Sequence, residues 1–260
     1  MSTVDVHAVV EGPTAGPVVV FSNSLGATLG MWDAPAAALR DRFRVVRYDT
    51  RGHGASPVPP GPYDIADLGA DVVRLLDRLG VDRVAFVGLS LGGMTGMWLA
   101  ANFPERVDRL VLCCTSAQLG PAAGWRDRAA TVRAEGSAAV AGAVVGRWLT
   151  PAFAAAHPGT VAQLQAMIAA TPAEGYAACC GAIARMDLRG VLDRITAPTL
   201  VIAGEQDPAT PPQHAHTIVS AVAGSRLAML SPAAHLATAE QPDRMTQLIA
   251  EHLGAARSGP

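Results

Sequence analysis

Val84-Ala85-Phe86-Val87-Gly88-Leu89-Ser90-Leu91-Gly92-Gly93-Met94 is the stretch from which the rest of the chain is read. An apolar, β-branched run stops at Gly-x-Ser-x-Gly, and a helix-compatible run, Met94 to Ala101, follows at once. That order predicts a strand, a sharp turn and a helix. A serine at such a turn has strained backbone angles, and small residues two positions to either side let strand and helix approach without a Cβ clash. Gly88 and Gly92 stand at those two positions. The hydroxyl of Ser90 is then thrust out above the end of a sheet, as a candidate nucleophile. In a chain with 26 glycines the five-residue motif alone is a weak signal; the buried strand before it and the helix after it make the reading specific.

A length of 260 residues suits one large α/β domain, or such a core with an inserted subdomain, and provides for an ample apolar interior. Half of the residues are apolar and the formal charge is −2, so neither a nucleic-acid surface nor a polybasic membrane patch is expected; the expected partner is a small molecule. All 20 basic residues are arginine, which excludes Schiff-base and Ser-Lys chemistry. The four cysteines form two adjacent pairs, Cys113-Cys114 and Cys179-Cys180, without the spacing of a zinc site. They are read as reduced core thiols, and no metal or organic cofactor is expected. Met1 to Val10 lacks a basic region followed by a long apolar one, and no uninterrupted apolar run approaches a membrane span, so a soluble cytoplasmic protein is expected.

Upstream of Ser90, Val4 to Val10 alternates weakly and predicts an edge strand, while Pro17 to Phe21 predicts a strand buried on both faces. The loop after it, Ser22-Asn23-Ser24-Leu25-Gly26-Ala27, lies where an α/β sheet presents backbone to ligands. Read as more than a turn, it offers the N–H of Leu25 as one oxyanion donor; the N–H of Leu91, directly after the serine, is the other. Trp32 to Leu39 reads as helix and Phe43 to Tyr48 as strand, closing on Asp49-Thr50-Arg51-Gly52-His53-Gly54. Asp49 and Arg51 are expected to form a turn-stabilising ion pair, and His53 to be a loop histidine and not the base. From Asp64 a helix with an apolar face at Ile65, Leu68, Val72, Leu75, Leu76 and Leu79 runs to a stop at Gly80.

Val107 to Cys113 is a further buried strand, so the first part of the chain alternates strand and helix, the pattern of a mostly parallel sheet with helices on both faces. Residues 1–119 are therefore assigned to the first part of a core and 195–260 to the second. Alanine-rich helical stretches replace strands between them, and residues 120–194 are expected to form a helical cap over the strand ends. Trp125, Trp148 and Tyr176 fall in this segment, either lining a cleft or packing the cap's own small core. Pro198 to Gly204 returns to buried strand and leads into Glu205-Gln206-Asp207-Pro208, where Asp207 suits the task of orienting a histidine and Glu205 is its rival. Ser225 to Leu230 is a last short strand, and His235 follows in an apolar loop. The order Ser90, Asp207, His235 is the chain order expected of a nucleophile-elbow architecture. Gln241 to Leu253 reads as a terminal helix, and Ala255 to Pro260 as frayed.

With these residues in place, the chain resembles the α/β-hydrolase family over nearly its whole length. Within the family it is most similar to the 3-oxoadipate enol-lactonases. The resemblance rests on Ser22 to Gly26 with Met31-Trp32-Asp33, on Arg47 to Gly54, on Gly61-Pro62-Tyr63, and on Trp125, Arg147-Trp148 and Gly175 to Cys180. Many family members begin the oxyanion loop with His-Gly, where this chain has Asn23-Ser24. The resemblance implies a Ser90, Asp207, His235 triad that opens a carboxylated lactone without a cofactor. Such a substrate carries a free carboxylate away from the reacting carbonyl, and a water-poor site needs a cation to receive it. Of the cap arginines Arg126, Arg128, Arg133, Arg147 and Arg185, Arg128 shares a helical face with Trp125. Trp125, Arg128 and Trp148 are thus the expected substrate-binding residues, with Arg147 pointing elsewhere. A general carboxylesterase or a cofactor-free perhydrolase would use the same triad, and a ligand receptor on this scaffold would bind without turnover.

Overall fold

The computed structural model describes residues 2–254. Seven strands form one sheet: β1 (Ala8–Glu11), β2 (Val18–Ser22), β3 (Arg44–Tyr48), β4 (Val84–Leu89), β5 (Val107–Cys113), β6 (Thr199–Gly204) and β7 (Arg226–Leu230). Their order across the sheet is β1-β3-β2-β4-β5-β6-β7. Every pairing is parallel except β1 with β3. The expected edge strand is therefore present, at Ala8–Glu11 and not from Val4. All residues of β4 and β6 are buried, and those of β2, β3 and β5 nearly so, because helices cover both faces of the sheet. Continuous apolar runs were the sequence signal for this.

The core helices are α1 (Asp33–Leu39), α2 (Ile65–Arg78) and α3 (Leu91–Asn102) before β5, and α9 (Pro212–Ala221), α10 (Ala237–Glu240) and α11 (Pro242–Gly254) after β6. In α2 the face made by Ile65, Leu68, Val72, Leu75 and Leu76 is buried, its N-terminus is closed by a capping box of Asp64 and Asp67, and Gly80 stops it at a φ of 63°. Helix α3 is buried along nearly its whole length. The segment Ala255 to Pro260, expected to be frayed, lies outside the described residues.

Between β5 and β6, which are neighbours in the sheet, the chain leaves to form five helices: α4 (Ala122–Glu135), α5 (Ala138–Trp148), α6 (Pro151–Ala156), α7 (Pro158–Ala169) and α8 (Ala173–Arg185). The two ends of this insertion meet, with Gln118 bridged to Asp187 and the N–H of Leu188 donated to the carbonyl of Ala117 at 2.8 Å. Among the described residues no helix is long and apolar enough to cross a membrane.

Candidate active site

Ser90 lies between β4 and α3 with φ 56° and ψ −115°, a left-handed conformation that a side chain rarely adopts. The turn is held by the N–H of Ser90 on the carbonyl of Cys113 at 2.9 Å, and by the Thr115 hydroxyl on the carbonyl of Ser90 at 2.7 Å. The two glycines do separate jobs. A Cβ on Gly88 would lie 2.2 Å from the carbonyl oxygen of Gly92, so it admits the helix; a Cβ on Gly92 would lie 2.2 Å from that of Ser22, so it admits β2.

Asp207 follows β6 and His235 follows β7, and His235 Nδ1 donates to Asp207 Oδ2 at 2.8 Å. Both side chains are buried. The remaining capacity of the carboxylate is filled by the N–H groups of Ala209 and Thr210, at 2.8 and 2.9 Å, and by the Thr210 hydroxyl at 2.7 Å. Burial alone would raise this carboxyl; the adjoining His235 and the Thr210 donors outweigh burial and hold it below the usual carboxylate value. Glu205, the rival, is exposed. Thr210 was not singled out from sequence, although a hydroxyl three residues after an aspartate in a proline-rich turn is a known side-chain cap.

Among the described residues Ser90 Oγ and His235 Nε2 have no hydrogen-bond partner, and both residues border one cavity of about 250 Å³. This lies just below the usual ~300–1,000 Å³ range of ligand pockets. Ser24 and Leu25 form one wall, and Trp125, Arg128, Val144, Arg147, Trp148, Tyr176 and Ile183 of the insertion form the roof. The Trp125 indole N–H is donated to the carbonyl of Leu119 at 3.0 Å, which fixes the ring.

Arg147 was expected to point away from Trp148, yet both border the cavity, because the space wraps around the C-terminal end of α5. Burial, and then the positive charge of Arg128, lower the Arg147 pKa. Among the described residues neither Arg128 nor Arg147 makes an ion pair. Tyr176 borders the same cavity; its phenol is pushed up to about 12 by burial, against the pull of Arg128 and Arg147, and among the described residues its hydroxyl has no partner of hydrogen-bond geometry.

The predicted Asp49–Arg51 ion pair is absent. Arg51, 1% exposed, instead donates Nε and Nη2 to the two carboxylate oxygens of Asp71 on α2, both at 2.6 Å. Asp49 accepts the N–H groups of Leu29 and Ala55 at 2.8 and 3.0 Å. Two residues so close on one turn point apart, and a buried guanidinium is satisfied only by a carboxylate that can meet its fork. The cysteines are free and buried, as expected of core thiols. Among the described residues no group of three or more His, Cys, Asp or Glu is placed to hold a metal ion.

A second connection joins roof and floor. Glu240 Oε1 accepts the N–H and hydroxyl of Thr150, at 2.8 and 2.7 Å, while its Oε2 accepts the N–H of Ala234 at 2.5 Å. The N–H of Leu236 is donated to the carbonyl of Trp148 at 2.8 Å. The residues on both sides of His235 are therefore tied to the insertion.

A serine on a nucleophile elbow, a carboxylate-bound histidine and a parallel sheet define a hydrolase of the α/β type. Residues 17–242 match the alpha/beta hydrolase fold family, and the chain belongs to it. Over 238 residues it is 43% identical to 3-oxoadipate enol-lactonase 2 of Acinetobacter baylyi, covering 92% of this chain and 89% of that one. Among solved structures it superposes on the enol-lactonase from Burkholderia xenovorans with a TM-score of 0.94 at 41% identity, over 96% of each chain. It also superposes on a thermophilic esterase from Thermogutta terrifontis, with a TM-score of 0.90 at 30% identity, over 95% of this chain and 92% of that one.

Proposed function

We propose that this hydrolase opens an enol-lactone bearing a free carboxylate, 3-oxoadipate enol-lactone by preference, to give the keto acid. The observation that carries the reading is the placement of Arg128 and Arg147, two guanidinium groups with no carboxylate partner among the described residues, in the roof of the cavity that Ser90 and His235 border. Both side chains are half-buried, and a partly desolvated cation without a counter-ion gains from an anionic ligand. The enol-lactonase relatives point to the same substrate class.

In this mechanism Ser90 Oγ attacks the lactone carbonyl as His235 Nε2 takes its proton. Asp207, on the opposite nitrogen, holds the imidazole in the tautomer that leaves Nε2 free and stabilises the imidazolium. Negative charge on the carbonyl oxygen falls to the N–H groups of Leu25 and Leu91, each worth about 3 kcal/mol in comparable sites. Collapse breaks the ring C–O bond. The ring oxygen leaves as an enolate, the proton held on His235 Nε2 passes to it and settles at carbon to give the ketone, and His235 is neutral again. Water, deprotonated by His235, then releases the acyl group from Ser90 as a second carboxylate.

A general carboxylesterase is the second reading, favoured by Val144, Trp148 and Ile183, which give the roof an apolar part suited to a neutral acyl chain. One comparison tests the two. The enol-lactone and a neutral aryl ester of matched size are assayed side by side, and a kcat/KM no higher for the lactone would overturn the proposal.

A further inference from the structure

The loop that carries the Leu25 N–H closes on itself through one bond, the N–H of Ala27 on the carbonyl of Ser24 at 3.1 Å, and is otherwise held by other elements. Asn23 and Gly26 are fixed by backbone bonds to other elements: the carbonyl of Asn23 accepts the N–H of Gly92 at 2.9 Å, and the N–H of Gly26 is donated to His53 Nε2 at 2.9 Å. The N–H of Ser24 is directed at the sulfur of Met31, 3.4 Å away. Both neighbours of Leu25 thus have their N–H groups committed to the protein side. Among the described residues the Leu25 N–H itself has no acceptor, and Leu25 borders the cavity beside Ser90.

His53 is the titratable one of these anchors, and its chemical state follows from its partners. An N–H donor on Nε2 requires a lone pair there, so the proton is on Nδ1, where the carbonyl of Arg51 lies 3.2 Å away to receive it. The ring is 1% exposed. Burial lowers its pKa, against the Arg51 carbonyl and the Asp49 carboxylate, which favour the charged form. The His53 loop is in turn wedged under the insertion: a Cβ on Gly52 would lie 2.4 Å from the Cα of Gly175 in α8. Gly26, at φ 82°, faces Tyr176 of the same helix, where an added Cβ would come within 3.0 Å of the ring.

We propose that His53 is a positioning residue for the oxyanion hole: as a neutral Nδ1–H imidazole it takes the N–H of Gly26 and so turns the Leu25 N–H toward the carbonyl under attack. His53 touches no substrate. It acts through two consecutive peptide planes: His53 holds the Leu25–Gly26 plane, which meets the Ser24–Leu25 plane that carries the oxyanion N–H at the Leu25 Cα, and the proposal rests on the serine-hydrolase reading of Ser90. Removing an oxyanion donor outright lowers kcat by roughly 10²–10³ in comparable sites. A donor that is present but poorly aimed should lose less, about 10- to 100-fold.

The test uses His53→Leu, which has no acceptor, and His53→Gln, whose side-chain oxygen can reach the place of Nε2. Both are assayed on 4-nitrophenyl acetate and titrated with phenylboronic acid, whose tetrahedral serine adduct places an oxygen in the oxyanion hole. The expected result for His53→Leu is a kcat lowered about 10- to 100-fold with KM within about threefold, and a boronate Ki raised in step with the fall in kcat. His53→Gln should recover most of both. A purely structural role would lower the fraction of active enzyme and leave the boronate Ki of the remainder unchanged, and that outcome overturns the proposal. Should His53→Leu fail to fold, imidazole nitrogen shifts of the wild-type protein decide the matter, since an Nε2–H tautomer for His53 is incompatible with it. Ser90→Ala is run in parallel. If Ser90→Ala retains activity, the serine reading fails and this proposal with it; an inactive Ser90→Ala beside an unchanged kcat in His53→Leu removes His53 alone.

Discussion

The guanidinium of Arg128 lies over the indole of Trp125, 4.5 Å from the ring centroid. Stacking of this kind holds a cation in place without neutralising it, so the hydrogen-bonding edge of Arg128 remains available to a ligand. A charge-assisted bond of about 1.5–3 kcal/mol corresponds to a factor of roughly 10 to 150. Arg128→Ala should lower kcat/KM by about that factor for the carboxylated lactone and hardly at all for a neutral ester. Equal losses on the two substrates would show that Arg128 supports the roof and does not read the carboxylate.

Arg147 shares the cavity, and a single carboxylate held by both arginines couples them. Arg128→Ala, Arg147→Ala and the double variant should therefore give losses on the lactone that do not multiply. Steady-state kinetics of the four enzymes measures this directly, and strictly multiplicative losses would assign the two cations to different ligand groups.

Ser90, His235 and Asp207 should behave as a unit. Ser90→Ala and His235→Ala are each expected to remove nearly all hydrolysis from a folded protein, with the double variant little worse than either. Circular dichroism confirms the fold, and a multiplicative double loss counts against a shared pathway.

Glu240 connects the insertion to the backbone beside His235, and Glu240→Gln replaces one of its acceptor oxygens with a donor. Loss of a half-buried, charge-assisted acceptor costs about 1–3 kcal/mol, so thermal unfolding should move down by a few degrees. Because Ala234 adjoins His235, kcat should fall as well. Unchanged melting and unchanged turnover together would make the connection incidental.

Stability should also fall on the acid side. Burial lowers the pKa values of His53, His214 and His252 in the folded protein. Above about pH 6.5 both states leave these rings neutral and no difference arises. Below it the unfolded chain takes up protons that the folded chain refuses, and stability declines until each folded pKa is passed, by up to about 1.4 kcal/mol per pH unit for each ring. His53→Gln removes one ring. Urea unfolding at pH 7.0 and 5.5 should show a smaller acid loss in this variant than in the wild type, and an identical loss would mean that His53 protonates freely in the folded state.

The sequence disclosed what is local or ordered along the chain. Ser90 was legible because the elbow is written within five residues, and Asp207 and His235 because each follows a strand in the required order. Arg51 was misread because its partner, Asp71, is 20 residues away and is brought near only by the packing of α2. Arg147 was misplaced because its orientation depends on where α5 ends against the cavity, which helical spacing does not encode. Helix α9 went unassigned between Asp207 and β7, though Pro212 at its first turn and the spacing of Ala215, Ile218 and Val222 are the signals that mark it. His53 was recognised as a loop histidine, but its bond to Gly26 joins two loops that have no relation in sequence.

The narrow neck at Gln118 and Asp187 makes the five-helix insertion separable as a cassette. Its two ends leave and rejoin the core at adjacent points, so a graft made there leaves all seven strands in register. What the graft would not leave intact lies outside the neck: Gly175 against Gly52, Tyr176 against Gly26, and Thr150 on Glu240. Exchanging the roof to change the substrate therefore means transplanting these seams as well, two of them under the loops of His53 and Leu25 and one beside His235, and a chimera that omits them will inherit a new pocket over a loosened floor.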